Sequence, residues 1–222
     1  MSNSQNLQLL KELYIYKSMG FSYVDKLQSV QNNTKNRSIV TWDDLEKTVK
    51  NCFLCELSKS RKNTVFGNGN KNAKVMFIGE APGMVEDESG DVFVGRSGEL
   101  LTKMIENVLN IPRDEVYITN MLKCKPPSNA SATKNQINSC SDYLTSQINL
   151  VSPKLIVALG QSVYQYLSND DSSLSEARMS ISKYKEISVI TTYHPSYLLR
   201  NPSIKKQAHQ DLLKIKSFLD NL

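Results

Sequence analysis

Lys74-Val75-Met76-Phe77-Ile78-Gly79-Glu80-Ala81-Pro82-Gly83 is the stretch on which the fold turns. Its first half is a short apolar run with no polar residue between Val75 and Ile78, and its second half is a turn bearing glycine and proline. A run of this length bounded by turn chemistry reads as a strand buried on both faces, and such strands belong to parallel sheets covered by helices. Three further runs have the same form: 116–121 (Val-Tyr-Ile-Thr-Asn-Met), 154–160 (Lys-Leu-Ile-Val-Ala-Leu-Gly) and 187–193 (Ile-Ser-Val-Ile-Thr-Thr-Tyr). Between them, Leu100, Leu101, Met104, Ile105, Val108 and Leu109 share one helical face. Thr133 with Gln136 has the form of a capping box for a helix running to about Leu150. Asn201 as cap and Pro202 at the first helical position open a C-terminal helix with Ile204, Ala208, Leu212, Ile215 and Leu219 facing inward. Strands alternating with helices predict an α/β fold, a doubly wound α/β/α sandwich on a four-stranded, mainly parallel sheet.

Upstream of this core, residues 5–30 carry loosely helical apolar positions and residues 31–38 are polar and aperiodic, so residues 1–40 read as a helical arm with a linker and 41–222 as the domain. Thr41 and Asp44 form a cap signal for a short helix from about Trp42 to Lys50 that delivers Cys52 at its end. A chain of 222 residues, 40% of them hydrophobic, suffices for one buried core with an appended arm. Its apolar runs fall short of the roughly 20 residues that cross a bilayer, so no membrane association is expected. Residues 1–6 lack the charged and apolar regions of a secretory signal, so a cytoplasmic location is expected. The net charge of +5 admits a polyanionic partner without requiring one.

Four cysteines in a reducing compartment are expected to be metal ligands or core residues rather than disulfides. Cys52-Phe53-Leu54-Cys55 alone suits zinc, a redox site or an iron–sulfur cluster. The pair follows a helix and precedes a loop, which is not the setting of a thioredoxin-like motif. Cys124 and Cys140 complete a set of four thiolates, a donor set that serves zinc and [4Fe–4S] alike.

In a doubly wound sheet the site lies beyond the carboxyl ends of the strands. The first run ends in Gly79-Glu80-Ala81-Pro82-Gly83, followed by Glu86-Asp87-Glu88 and Phe93-Val94-Gly95-Arg96-Ser97-Gly98. The second ends in Thr119-Asn120 with Lys123-Cys124-Lys125-Pro126-Pro127 beyond, and the fourth delivers His194-Pro195-Ser196-Tyr197-Leu198-Leu199-Arg200. Singly, each has an ordinary structural explanation: a tight turn, a loop-satisfying Asn, a core Phe, a hydrogen-bonded His. Jointly they bring polar, aromatic and glycine-rich segments to one sheet edge, where a pocket forms.

These motifs, in this order and with Val65-Phe66-Gly67-Asn68-Gly69-Asn70 and Tyr117-Ile118-Thr119-Asn120 between them, resemble family 4 of the uracil-DNA glycosylases, the iron–sulfur type, over roughly residues 49–220. The resemblance implies an enzyme that flips uracil out of single- or double-stranded DNA and hydrolyses its N-glycosidic bond, leaving an abasic site in base excision repair. It implies a monomer, and a [4Fe–4S] cluster on Cys52, Cys55, Cys124 and Cys140. Phe93 is then expected to stack on the flipped base. Asn120 is expected to pair with its O4 and N3–H edge, since a carboxamide offers one donor and one acceptor. His194 is expected to donate to O2, where negative charge collects as the bond breaks.

Glu80 is the expected positioner of water or of the sugar cation, standing where another family of the superfamily carries Asp. Glu86 is expected to shape the pocket against the thymine methyl, with Gly79 and Ala81 lining the base site. Leu198 is the counted equivalent of the superfamily's wedging leucine, with Ser196 and Arg200 on DNA and Lys123, Lys125, Lys205 and Lys206 attracting phosphate. Two departures from the family pattern are Gly83-Met84-Val85 and Ser128-Asn129-Ala130-Ser131-Ala132-Thr133; the second lacks an Arg that is common there. The competing expectations are a non-catalytic iron–sulfur DNA-binding protein of the same fold, and a broader mismatch glycosylase.

Overall fold

A computed structural model describes residues 41–127 and 132–221. These belong to the unit Val40–Leu222. The helical arm expected over residues 1–40 and most of the departing segment 128–133 lie outside the described residues.

Six strands form one sheet: β1 (Asn68–Gly69), β2 (Val75–Gly79), β3 (Tyr117–Asn120), β4 (Leu155–Leu159), β5 (Ile181–Tyr184) and β6 (Ile187–Thr192), in the order β1-β3-β2-β4-β6-β5. The four central strands are parallel and are those anticipated from the apolar runs. Every residue of β2 and β4 is buried. Alternate side chains enter two separate cores, as strand geometry requires. Val75 and Phe77 join Leu155, Val157, Leu101, Ile105, Leu212 and Ile215 on one face. Met76 and Ile78 join Ile156, Ala158, Leu144, Ile148 and Val163 on the other.

The sheet has two more strands than the four expected. Both extra strands are antiparallel edges. β1 is two residues long, too short to show a pattern. β5 is half exposed with no buried run, and it turns back into β6 through Lys185 at φ +54°.

Eight α-helices are described: α1 (Trp42–Lys50), α2 (Met84–Ser89), α3 (Arg96–Met104), α4 (Lys134–Val151), α5 (Gln161–Ser168), α6 (Leu174–Ala177), α7 (Pro195–Arg200) and α8 (Lys205–Asp220). α1 starts at the expected cap, where Thr41 Oγ1 accepts from the Asp44 N–H at 3.2 Å. α4 has the full Thr133/Gln136 box. α3 runs on through a π turn at Ile105–Leu109, which keeps the anticipated apolar face on the core. The C-terminal helix opens differently from expectation. Asn201 and Pro202 hold the cap and first positions as expected, but of a 3-10 turn, Pro202–Ile204, that leads into α8, and the Asn201 amide donates back to the Tyr197 carbonyl rather than making a side-chain cap. Among the described residues no helix is long and apolar enough to cross a membrane.

The parallel register aligns Gly79 with Asn120, and Leu159 with Thr192. Glu80, Asn120, Gly160 and His194 consequently leave the sheet along one edge.

Candidate active site

A cavity of about 1060 Å³ opens at that edge, lined by Glu80, Ala81, Glu86, Phe93, Asn120 and His194 among others. This is several times what one pyrimidine needs. The cavity continues past the strand ends to Tyr193, Tyr197, Arg200 and Gln207.

Asn120 is 2% exposed, and its Oδ1 has no hydrogen-bond partner among the described residues. A buried amide oxygen without a partner costs about 1–3 kcal/mol, so its retention points to a ligand that supplies the donor. Gly79 faces it. A Cβ there would collide with Asn120 Oδ1 and lie 2.8 Å from Phe93 Cζ, so only glycine lets the amide and the ring share the pocket floor.

Phe93 is buried and sits at φ +51°, an outlying conformation for a bulky residue. Its ring centroid is 5.7 Å from that of His194, at 35° between planes. The turn around it is organised by Glu86, whose carboxylate accepts from the N–H groups of Gly83 (3.1 Å), Val94 (3.1 Å) and Gly95 (2.9 Å). Glu86 lines the cavity, but its oxygens are occupied in fixing the loop.

His194 follows β6 and caps α7. Its Nδ1 accepts from the Ser196 backbone N–H at 3.2 Å and lies 2.8 Å from Ser196 Oγ. A backbone N–H can only donate, so Nδ1 is unprotonated and the neutral ring carries its hydrogen on Nε2. Burial pulls the His194 pKa down to about 4, which keeps the ring neutral at physiological pH. Ser196, expected on DNA, is therefore the residue that sets the His194 tautomer.

Glu80 Oε2 accepts from Ser162 Oγ at 3.0 Å and Oε1 from the Ala132 N–H at 3.0 Å, so the side chain is held at both oxygens. Ser162 comes from the third strand end, Gly160-Gln161-Ser162, where no motif marks it.

Two expectations are corrected. Leu198 is 1% exposed and belongs to the core under α7, because the apolar face of a short amphipathic helix turns inward. Tyr197 is the exposed neighbour, stacked on Tyr193 at 5.8 Å and 8°, and Arg200 is exposed beside it. Lys123 is 1% exposed and cannot meet phosphate. Its Nζ donates to Asn120 O (2.6 Å), Thr119 Oγ1 (2.7 Å) and Gln147 Oε1 (2.6 Å), and burial lowers its pKa to about 7.

The four cysteines are free. Cys124 and Cys140 are buried with Leu57 and Leu122, and Cys55 packs against that cluster. Burial pushes the Cys140 thiol up to about 11 and also raises Cys124, each with neighbouring cysteines adding to the rise. Arg61 donates to Cys124 Sγ at 3.3 Å and to the Cys52 carbonyl at 2.7 Å, which places one cation against the set. Among the described residues no group of three or more His, Cys, Asp or Glu meets the spacing of a metal-ion site.

With this geometry in place, comparison with known proteins gives a consistent answer. The family model described as the uracil DNA glycosylase superfamily matches residues 66–214. A type-4 uracil-DNA glycosylase of Sulfurisphaera tokodaii is 43% identical over 78% of this chain and 84% of its own length. Those of Saccharolobus solfataricus and Archaeoglobus fulgidus are 42% and 36% identical, over 81% and 78% of this chain and 87% and 90% of theirs. The chain therefore belongs to the uracil-DNA glycosylase superfamily and, within it, to the type-4 branch.

Proposed function

We propose that this protein is a monofunctional uracil-DNA glycosylase of base excision repair. The observation that carries the reading is the buried, unpartnered Oδ1 of Asn120 beside Phe93 and the Nε2–H of His194. Uracil presents the matching edge: N3–H to donate to Oδ1, and O4 to accept from the Asn120 amide. Cytosine presents the reverse pattern and leaves the buried oxygen facing an acceptor.

A deoxyuridine flipped into the cavity stacks on Phe93 and directs O2 toward His194. As the glycosidic bond lengthens, charge develops as an oxocarbenium sugar and a uracil anion. The neutral Nε2–H donates to the O2 that gains negative charge, without proton transfer. Glu80, held by Ser162 and Ala132, offers its remaining lone pairs to the sugar cation or the attacking water. Glu86 acts through the loop that carries Phe93, while Gly79 and Ala81 keep the base site open. Tyr197 and Arg200 take the DNA beside the flipped nucleotide in place of the buried Leu198.

Cys52, Cys55, Cys124 and Cys140 would hold a [4Fe–4S] cluster. The soft four-thiolate donor set with Arg61 against it suits such a cluster, and the resemblance to the iron–sulfur type of the family favours it over zinc. When bound, the cluster supplies a structural tie between the segments bearing its ligands. The reading further comprises a cytoplasmic monomer, with residues 41–222 as the glycosylase domain and 1–40 as an appended arm.

The test is incubation with oligonucleotides bearing U, T or hypoxanthine at one position, single-stranded and duplex, followed by alkaline cleavage of abasic sites. Scission at U, abolished in Asn120→Ala, is expected. Absence of scission by the wild type on every substrate would leave a DNA-binding protein without activity, and equal scission at T would make it a broader mismatch glycosylase.

A further inference from the structure

Phe93 holds a backbone conformation that bulky side chains rarely adopt, at φ +51°, and one face of its turn is explained by Glu86. The other face is occupied by a residue that no motif marks. Arg113, in the 3-10 turn Arg113–Glu115 before β3, reaches back across the fold. Its Nη2 donates to the carbonyls of Val92 and Phe93, both at 3.0 Å. Its Nη1 donates to Thr102 Oγ1 at 2.5 Å and to the Gly98 carbonyl at 3.4 Å. No carboxylate among the described residues lies within ion-pair distance of this guanidinium.

A half-buried guanidinium spent on three carbonyls and a hydroxyl is an uncommon use of arginine, which usually meets a carboxylate or phosphate. The reason lies in the turn itself. The carbonyls of residues 92 and 93 leave the chain where it is neither strand nor helix, and they face inward. Gly98 fits against the same peptide so closely that a Cβ would overlap the Phe93 carbonyl. Arg113 satisfies the carbonyls on one side while Glu86 satisfies the N–H groups of Val94 and Gly95 on the other.

We propose that Arg113 is a positioning residue for base capture: with Glu86 it forms a two-sided charged clamp that holds Phe93 in its left-handed conformation and its ring toward the pocket. The inference rests on the reading of Phe93 as the ring that stacks on uracil. Arg113 touches neither base nor sugar and acts only through Phe93. A lysine nitrogen can stand in for Nη2 at the two carbonyls but cannot at the same time replace Nη1 at Thr102 and Gly98, so Arg113→Lys is expected to fall between wild type and Arg113→Ala.

The deciding experiment is a double-mutant cycle of Arg113→Ala and Phe93→Ala, read by single-turnover uracil release and by inhibition with free uracil, beside amide hydrogen exchange of residues 91–98. Arg113→Ala is expected to lower the release rate by about tenfold or more and to weaken uracil inhibition in parallel. In the Phe93→Ala background it should add less than twofold. Exchange should accelerate across 91–98 and remain unchanged in the central strands, with Arg113→Lys intermediate. Multiplicative losses in the double variant, or unchanged exchange in 91–98, would overturn the proposal. Should the wild type release no uracil, the reading of function fails, while the exchange measurement still decides the clamp. Should Arg113→Ala fail to fold, Arg113→Lys carries both measurements.

Discussion

Asn120 and His194 show how single atoms select a base. The amide oxygen is buried without a donor among the described residues, and the imidazole has its acceptor nitrogen occupied by Ser196, so these two side chains present one acceptor and two donor groups. Asn120→Ala should lower kcat/KM by about 10²–10³ while barely moving the thermal midpoint, since it removes an unsatisfied atom along with a transition-state contact. Gly79→Ala should be as damaging, because its methyl would strike the amide and the Phe93 ring. A Gly79→Ala protein with wild-type kcat/KM would show that the pocket floor has room to give. His194 sets the acid limb. Its pKa near 4 means that kcat/KM stays level from neutrality down to about pH 5, then falls as Nδ1 takes a proton and breaks the Ser196 bonds. Ser196→Ala removes the hydroxyl beside Nδ1 and keeps the backbone N–H, so the limb should move to higher pH; an unmoved limb would show that the hydroxyl adds nothing to what the N–H already does. Stability follows the same group. Between about pH 6.5 and 4 the unfolded chain binds this proton and the folded chain does not, so folding stability falls as pH falls through that window.

At the level of elements, the sequence is most readable where burial is most complete. β2 and β4 are buried at every residue, so their runs stand out as uninterrupted apolar stretches. α1 and α4 announce themselves through Thr41/Asp44 and Thr133/Gln136, caps whose hydrogen bonds are local in the chain. β5 is hidden because an exposed edge strand needs no apolar run, and Leu198 is misplaced because counting along a motif says nothing about which side of α7 faces the core. Phe93, Asn120 and His194 are readable from motifs at strand ends. Arg113 and Ser162 are not, since each acts on a partner far away in the chain, and the inward course of Lys123 is not because a lysine beyond a strand ordinarily reads as a surface charge. Lys123 gives the corresponding prediction. Its ammonium joins the end of β3 to α4 through Thr119, the Asn120 carbonyl and Gln147, three buried acceptors that lose this donor in Lys123→Met, with the longer Thr119 Oγ1–Gln147 Oε1 bond of 3.3 Å left between two of them. The variant should lose about 3 kcal/mol in denaturant unfolding, and free uracil should bind more weakly as the backbone of Asn120 shifts. Unfolding at the wild-type midpoint would mean that the three acceptors find other partners.

Across the whole molecule, the proposed cluster would link parts of the chain that are remote in sequence, since its cysteines lie in the loop after α1, the segment after β3 and the middle of α4. The segment after β3 begins only a few residues beyond Asn120, so whatever fixes Cys124 also steadies the strand end that reads the base. A tie of this kind stabilises by removing freedom from the unfolded chain and by adding ligand bonds that the unfolded chain lacks. The raised pKa values of Cys124 and Cys140 add a second point. Burial keeps these thiols protonated at neutral pH, so the proposed cluster would have to draw them into thiolate form through its own positive charge, helped by Arg61. Cys140→Ser should therefore remove the visible absorbance of an anaerobically prepared protein together with its acid-labile sulfide. Its thermal midpoint should fall by about 5 °C or more. Uracil release should decline through weaker binding rather than a slower bond-breaking step, because Phe93, His194 and Glu80 lie outside the tied segments. Stoichiometric zinc with no sulfide in the wild type would overturn the cluster. An unchanged midpoint in a variant that has lost its iron would overturn its structural role.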